Sequence, residues 1–432
     1  MKKLLIVVSL LLIAVGVCRA QLPQGSWSGA IDVQGTKLTC VFHFTDEGCK
    51  MDVPDQGARG IPAVASLTPL GATHIEIPSI GASFEGFLMG GKIVGTFSQH
   101  GMSFPLTLTP GEPKRNRPQT PQPPFPYATE DVSFSNGEAV LRGTLTLPEA
   151  CDRSTTVILM VTGSGLQNRD EEIFEHKPFA VIADFLARHG VATLRYDDRG
   201  FGESTGDAVF CTTEDLKEDA AAGVALLRER FDRVGVLGHS EGGTIALMLA
   251  SEGKADFIVS LAGMVVSGAE TLLLQNRIML PQAGFDKEAT ERYCKALEAT
   301  FDAIREGQPL PDASRYNLPD ALLQNLRAVQ AQMNLPYMRY FIKLDMSQRL
   351  SQVTCPVLAL NGTRDTQVDA QANLGALEKG LPANPRNEIK ACEGLNHLFQ
   401  HCTTGLTDEY PQIEETFAPE VLELLARWTA AL

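Results

Sequence analysis

Residues 233–250 read RVGVLGHSEGGTIALMLA. RVGVL is an apolar run of strand length, and GGTIALMLA has the composition of a buried helix. Between them, Gly238-His239-Ser240-Glu241-Gly242 fits the pattern G-x-S-x-G with a strand directly before it and a helix directly after. A residue at the tip of such a turn sits at a strained backbone angle, and glycines beside it let strand and helix approach closely. A second match, Gly202-Glu203-Ser204-Thr205-Gly206, lacks that context: Ser204 follows the irregular DDRGFG and precedes GDAVF, which is no helix. Ser240 is therefore the candidate nucleophile and Ser204 is not.

On either side of this turn, strands alternate with helices. Val157 to Val161 reads as a buried strand, Pro178 to His189 as an amphipathic helix and Val191 to Arg195 as a strand. Thr213 to Phe231 is a helix, Val234 to Leu237 a strand, Thr244 to Ala250 a helix and Phe257 to Ala262 a strand. Such alternation predicts a parallel sheet covered on both faces. Before it, Val132 to Phe134 and Val140 to Leu147 form a hairpin through Asn136-Gly137. After it, residues 264–350 are mainly helical, with periodic runs at Ala269 to Met279, Lys287 to Glu306 and Ala321 to Met333. An insertion there sits over the C-terminal edge of the sheet, where ligands bind, and reads as a cap. The sheet resumes at Pro356 to Leu360 and Glu388 to Glu393, and Pro419 to Leu432 is a closing helix.

The first part of the chain differs. Residues 21–110 show short alternating runs punctuated by Gly, Pro and Asp, which predicts a small antiparallel barrel or sandwich. Residues 111–126, GEPKRNRPQTPQPPFP, read as an extended Pro-rich linker. The expected class is thus α/β: a mostly parallel sheet with a helical cap over 127–432, preceded by an all-β domain. Residues 1–20 carry a cationic start, an apolar run from Leu4 to Val17 and small residues ahead of Gln21. This layout predicts a secretory leader cleaved before Gln21, hence an exported protein with no stable membrane span. An uncleaved anchor helix is the alternative, and a lipid-modified Cys18 is disfavoured by the bulky Val17.

Composition narrows the function classes. Of 432 residues, 44% are hydrophobic and 21% charged, as in an ordinary globular chain. The net charge of −15 repels phosphate backbones, so nucleic acid is not an expected partner. Of the nine cysteines, eight remain without Cys18, a number that permits disulfides; Cys40 with Cys49 and Cys392 with Cys402 are near in sequence. No Cys or His spacing suggests a metal site, and no cofactor is expected.

A serine hydroxyl needs a base, and the base needs an orienting carboxylate. After a turn of this kind the chain order is serine, acid, histidine. Only His397 and His401 lie downstream of Ser240. His397 follows the strand NEIKACE in the loop Gly394-Leu395-Asn396-His397, where it can reach over the sheet edge, and is preferred to His401. The acid is Asp365, in Asn361-Gly362-Thr363-Arg364-Asp365 directly after PVLAL, with Asp369 and Glu393 as alternatives. An oxyanion would be held by the N–H of Glu241 and by that of Ser164 or Gly165 in the loop Thr162-Gly163-Ser164-Gly165. Asp197-Asp198-Arg199-Gly200 reads as structural, an Asp–Arg pair bracing loops near the turn. Tyr337, Tyr340 and Phe341 in the cap read as core, with the lining of a pocket as the other reading.

Together GHSEGG, DDRGFGES, LNGTRDTQV and GLNHLFQ resemble the α/β-hydrolase superfamily in its serine-aminopeptidase-like branch. The β-domain, RPQTPQPPFPY and the late NHLFQ make the chain similar to two-domain bacterial esterases of the EstD type. That resemblance implies cofactor-free hydrolysis of small-molecule esters with short acyl chains, with Ser240, Asp365 and His397 as the triad. Thr162-Gly163 departs from the common His-Gly start of the oxyanion loop. An amidase or peptidase is the alternative within hydrolases. A glycan- or lipid-binding β-domain beside an inert hydrolase domain is the alternative outside them. Oligomeric state is not legible.

Overall fold

Eight strands at the start of the chain alternate apolar and polar residues, and they close on themselves. In the computed structural model, residues 22–33, 36–45, 48–56, 58–112 and 115–432 are described. The expected leader, residues 1–20 with cleavage before Gln21, lies outside them. The chain divides into two units, one ending at residue 114 and the other running from Arg115 to Leu432.

In the first unit, β1 (Gly25–Val33), β2 (Thr36–Thr45), β3 (Gly48–Val53), β4 (Ala58–Leu67), β5 (Thr73–Ile77), β6 (Ala82–Met89), β7 (Lys92–Gln99) and β8 (Met102–Pro110) form a closed antiparallel barrel in chain order. Of the two forms expected, barrel or sandwich, the barrel is realised. Alternation puts Ile75 and Ile77 inside while His74 and Glu76 stay at the surface side. Phe42, Phe84, Ile93, Leu106 and Leu108 complete the interior. Gly86 pairs with Gly95 across β6 and β7, where a Cβ on Gly95 would strike the Glu85 carbonyl.

In the second unit, β9 (Ala128–Asn136) and β10 (Ala139–Leu147) make the hairpin expected from Asn136-Gly137. Then follow β11 (Val157–Val161), α1 (Pro178–Arg188), β12 (Ala192–Tyr196), α2 (Thr213–Arg228), β13 (Val234–His239), α3 (Glu241–Ser251) and β14 (Phe257–Leu261). Four cap helices intervene: α4 (Gly268–Gln282), α5 (Lys287–Glu306), α6 (Asp320–Gln332) and α7 (Pro336–Lys343). The sheet ends with β15 (Val357–Gly362), α8 (Ala370–Gly380), β16 (Glu388–Cys392) and α9 (Pro419–Ala430). Strand order is β16-β15-β14-β13-β11-β12-β10-β9, parallel from β16 to β12 and antiparallel at β10 and β9.

The sheet is buried on both faces because each strand supplies apolar residues to both. Ile158, Met160 and Leu237 pack under α1 and α9. Val157, Leu159, Val234 and Val236 pack under α2, α3 and α8. The cap has its own core around Tyr293, Leu297, Phe301 and Leu326. Helix α8 is an element the sequence patterns did not signal; its start is the Asp369 N-cap, whose carboxylate accepts the Ala372 N–H at 2.7 Å. All eight cysteines after Cys18 are free, so neither neighbouring pair is joined.

The Pro-rich stretch runs along the second unit from Arg115 onwards. Gln119 bonds both the N–H and the carbonyl of Phe417, and Tyr127 donates to Asp184 at 2.8 Å. Beneath it His176 is fully buried, bonded to Thr416 Oγ1 at 2.9 Å and to the Tyr410 carbonyl at 3.1 Å. Burial, then the nearby Arg117 cation, hold its pKa down at about 4. The unfolded chain takes up that proton near pH 6.5, so the stabilisation is whole above pH 6.5 and drains as pH falls from 6.5 to 4. The loss is on the order of 3 kcal/mol. Thermal melts of the protein and of His176→Gln at pH 7.5 and 4.5 check this. The wild type should lose more Tm on acidification than the variant, and equal losses would contradict it.

Candidate active site

The turn after β13 has the strained geometry that its glycines imply. Ser240 has φ 53° and ψ −119°, a region that L residues avoid. Its N–H is tied to the Leu261 carbonyl at 2.8 Å. A Cβ on Gly238 would overlap the Gly242 carbonyl, and one on Gly242 would overlap the Val161 carbonyl. Strand, turn and helix can thus close only with glycine at both places. At the start of α3 the N–H groups of Glu241 and Gly242 have no acceptor among the described residues, so the helix end facing the turn carries free donors.

His397 stands in the loop after β16, and its Nδ1 lies 2.7 Å from Asp365 Oδ2. Asp365 is buried at the end of β15, where Oδ1 accepts the N–H groups of Gln367 (2.8 Å) and Val368 (2.9 Å) and Oδ2 accepts Asn361 Nδ2 (3.0 Å). A carboxylate is acceptor-only, so Nδ1 of His397 carries the proton and Nε2 is left as the basic nitrogen. The histidine loop is itself pinned. Asn396 Oδ1 accepts the N–H groups of Leu398 and Gln400, and a Cβ on Gly362 would strike the Leu395 carbonyl.

Ser240, His397 and Ser164 line one cavity of about 270 Å³. The loop Thr162–Gly165 passes close by, since a Cβ on Gly163 would come within 3.2 Å of the Ser240 Cβ. Gly163 already spends its N–H on Glu171 Oε1 at 2.7 Å. Ser164 and Gly165 are both exposed, but only Ser164, with its N–H unspent, is on the cavity wall. The alternatives to Ser240, Asp365 and His397 lie elsewhere. His401 is exposed between Glu415 and Glu420, Asp369 caps α8, and Glu393 is exposed. Ser204 is buried, donating to the Asp197 carbonyl and accepting the Arg142 N–H.

Three features were not foreseen. The buried Glu241 carboxylate accepts from Thr213 Oγ1 (2.6 Å) and Tyr337 Oη (2.8 Å), with the Ser164 hydroxyl beside it. Burial raises its pKa, and these three donors oppose the shift. The residue after Ser240 thus ties the cap to α2, beside the loop 162–165. Accordingly Tyr337 is an anchor and does not line the cavity; Tyr340 bonds Glu214 at 2.7 Å, and Phe341 stacks on Tyr337.

Second, His239 bridges Glu171 Oε1 (2.9 Å, from Nδ1) and the His397 carbonyl (2.8 Å, from Nε2). Both nitrogens face oxygen acceptors, which only the imidazolium satisfies. Burial pulls its pKa down, but the Glu171 carboxylate and the carbonyl override that and the net shift is upward. Third, the Asp–Arg bracing uses partners outside the motif. Asp197 pairs with Arg169, and Arg199 with Asp219. Asp198 accepts Thr162 Oγ1 and the Gln167 N–H, each at 2.8 Å, and burial pushes its pKa up to about 7.

This strand order, with a strained serine between β13 and α3 and a histidine after the last strand, defines an α/β-hydrolase. The family model described as "Serine aminopeptidase, S33" matches residues 175–401, and the chain belongs to that family. Over 307 residues it is 28% identical to esterase EstD of Thermotoga maritima, covering 71% of this chain and 68% of that one. Among solved structures, the Pyrococcus furiosus esterase Pf2001 aligns at 16% identity over 71% of this chain and 93% of its own, with a TM-score of 0.41. The proline iminopeptidase of Mycobacterium smegmatis aligns at 16% identity over 70% and 98%, with a TM-score of 0.43.

Proposed function

We propose that the protein hydrolyses carboxylic esters with short acyl chains through an acyl-enzyme on Ser240. The observation that carries this reading is the 2.7 Å bond from Asp365 to His397, which lines the cavity that also holds the strained Ser240. His397 Nε2 takes the Ser240 proton as Oγ attacks the ester carbonyl. The Glu241 N–H, at the positive end of α3, and the Ser164 N–H receive the oxyanion. His397 then protonates the departing alcohol, and water, activated by the same base, releases the acid. The 28% identity to an esterase supports the ester over the amide. A cavity of about 270 Å³ suits a small acyl group. We place the protein outside the cytoplasm, on the leader-like residues 1–20.

An alkyl fluorophosphonate should label the protein at Ser240, and p-nitrophenyl acetate should be turned over far faster than an aminoacyl p-nitroanilide. Faster cleavage of the anilide would replace the ester reading by the peptidase one. Absence of labelling would remove both.

A further inference from the structure

The residues that open the second unit bond two loops that each supply part of the wall of the Ser240 cavity. Among the described residues, every hydrogen bond of the Arg117 side chain goes to a backbone carbonyl. Nε and Nη2 donate to Phe174 (3.2 and 2.9 Å), Nη2 also to Pro411 (3.0 Å), and Nη1 to Ile413 (2.7 Å) and to its neighbour Asn116 (3.1 Å). The first of these carbonyls belongs to the loop before α1, the next two to the loop before α9. Each loop sends one aromatic ring into the cavity, Phe174 from the first and Tyr410 from the second, and the rings meet edge to face at 6.4 Å.

The first loop is held under strain. Phe174 and Glu175 have φ of 51° and 66°. Each such residue persists only where its surroundings over-determine it. Arg117 grips the carbonyl of Phe174, and Arg115 bonds the carboxylate of Glu175 through its N–H and its guanidinium. Gln119 closes the other loop, accepting the N–H groups of Thr416 and Phe417 (2.6 and 3.0 Å). A planar fork of five donors can fix two separate backbone segments at one spacing, which a single ammonium cannot.

We propose that Arg117 is a positioning residue that determines specificity: by clamping both loops it sets the gap between Phe174 and Tyr410, and with it the acyl group that Ser240 accepts. This rests on the ester-hydrolase reading. The acyl group stays tethered to Ser240 through deacylation while the alcohol leaves, so a walled cavity beside the serine serves the acyl part. Loosening the clamp releases the strained loop, and Phe174 leaves the wall. An acetyl group reaches little of that wall, and a butyryl group reaches more.

The test compares p-nitrophenyl acetate and butyrate on the full chain and its Arg117→Ala and Arg117→Lys variants. Arg117→Ala should lower the butyrate-to-acetate ratio of kcat/KM about tenfold, the size that the loss of about one methylene's pocket contact produces. The change should fall mainly on the KM for butyrate, with Arg117→Lys in between. A ratio within twofold of wild type overturns the proposal. So does an equal loss on both esters, which is what a merely structural role gives. Ethyl and hexyl fluorophosphonates, compared by labelling rate at Ser240, read the same wall without turnover. If wild type labels but hydrolyses neither ester, the ester reading falls while a shifted labelling ratio in the variants still upholds the clamp, and an unshifted one sinks it. Should Arg117→Ala fail to fold, Arg117→Lys decides by the same ratios.

Discussion

Ser240→Ala is expected to lower kcat for p-nitrophenyl acetate by about 10⁴–10⁶-fold with the melting curve essentially unchanged. The variant keeps the Cβ, so the backbone strain at φ 53° is the same in both proteins and the contacts of Gly238 and Gly242 are untouched. Only the hydroxyl goes, and no described side chain depends on it for a hydrogen bond. The free N–H groups at the start of α3 and the Ser164 N–H remain, so a residue of rate above water survives through polarisation of the ester carbonyl. Fluorophosphonate labelling should vanish together with turnover. If more than a tenth of the wild-type rate remained in a folded variant, Ser240 would not be the nucleophile.

Asp365→Asn should cost about 10⁴-fold in kcat, through the proton on His397 and not through loss of the fold. Oδ1 of Asp365 accepts two backbone N–H groups, from Gln367 and Val368. An asparagine must therefore keep its oxygen on that side and turn its NH₂ toward His397. Nδ1 then becomes the acceptor, the proton moves to Nε2, and no lone pair is left for the Ser240 hydroxyl. The same NH₂ also faces Asn361 Nδ2, a second donor that loses its acceptor. Circular dichroism should show the fold retained, and a ¹⁵N NMR spectrum of the histidines should show the exchanged tautomer. Activity within tenfold of wild type would demote Asp365 to a structural role.

The unforeseen features share one location. Glu171, His239, Asp198 and the Glu241 carboxylate surround the loop 162–167 and the turn at Ser240. Through His239 the backbone of the proposed base is tied to the same carboxylate that holds Gly163. In the sequence these are a glutamate in a polar loop, the x residues of G-x-S-x-G and one aspartate of DDRG. Such residues are commonly solvated, and nothing in their spacing announces partners 68 residues apart, as Glu171 and His239 are.

What the sequence determined alone follows from local and periodic physics. Period-two alternation in the first unit, strand–helix alternation in the second, and a turn in which two glycines make room for a strained serine are all decided within a few residues. The scarcity of histidines after Ser240 narrowed the base to two positions. Tertiary structure alone decided the closing of eight strands into a barrel, because which strand pairs with the last is not a local property. It supplied the physical reason for preferring His397 to His401, one turning inward to a buried carboxylate and the other outward to Glu415 and Glu420. It also made part of a Pro-rich stretch into a clamp, since Arg117 has no role until two loops nearly 60 and 300 residues away bring their carbonyls to it. Side-chain hydrogen bonds across such separations depend on how the whole chain is packed, and no pattern along the chain encodes them.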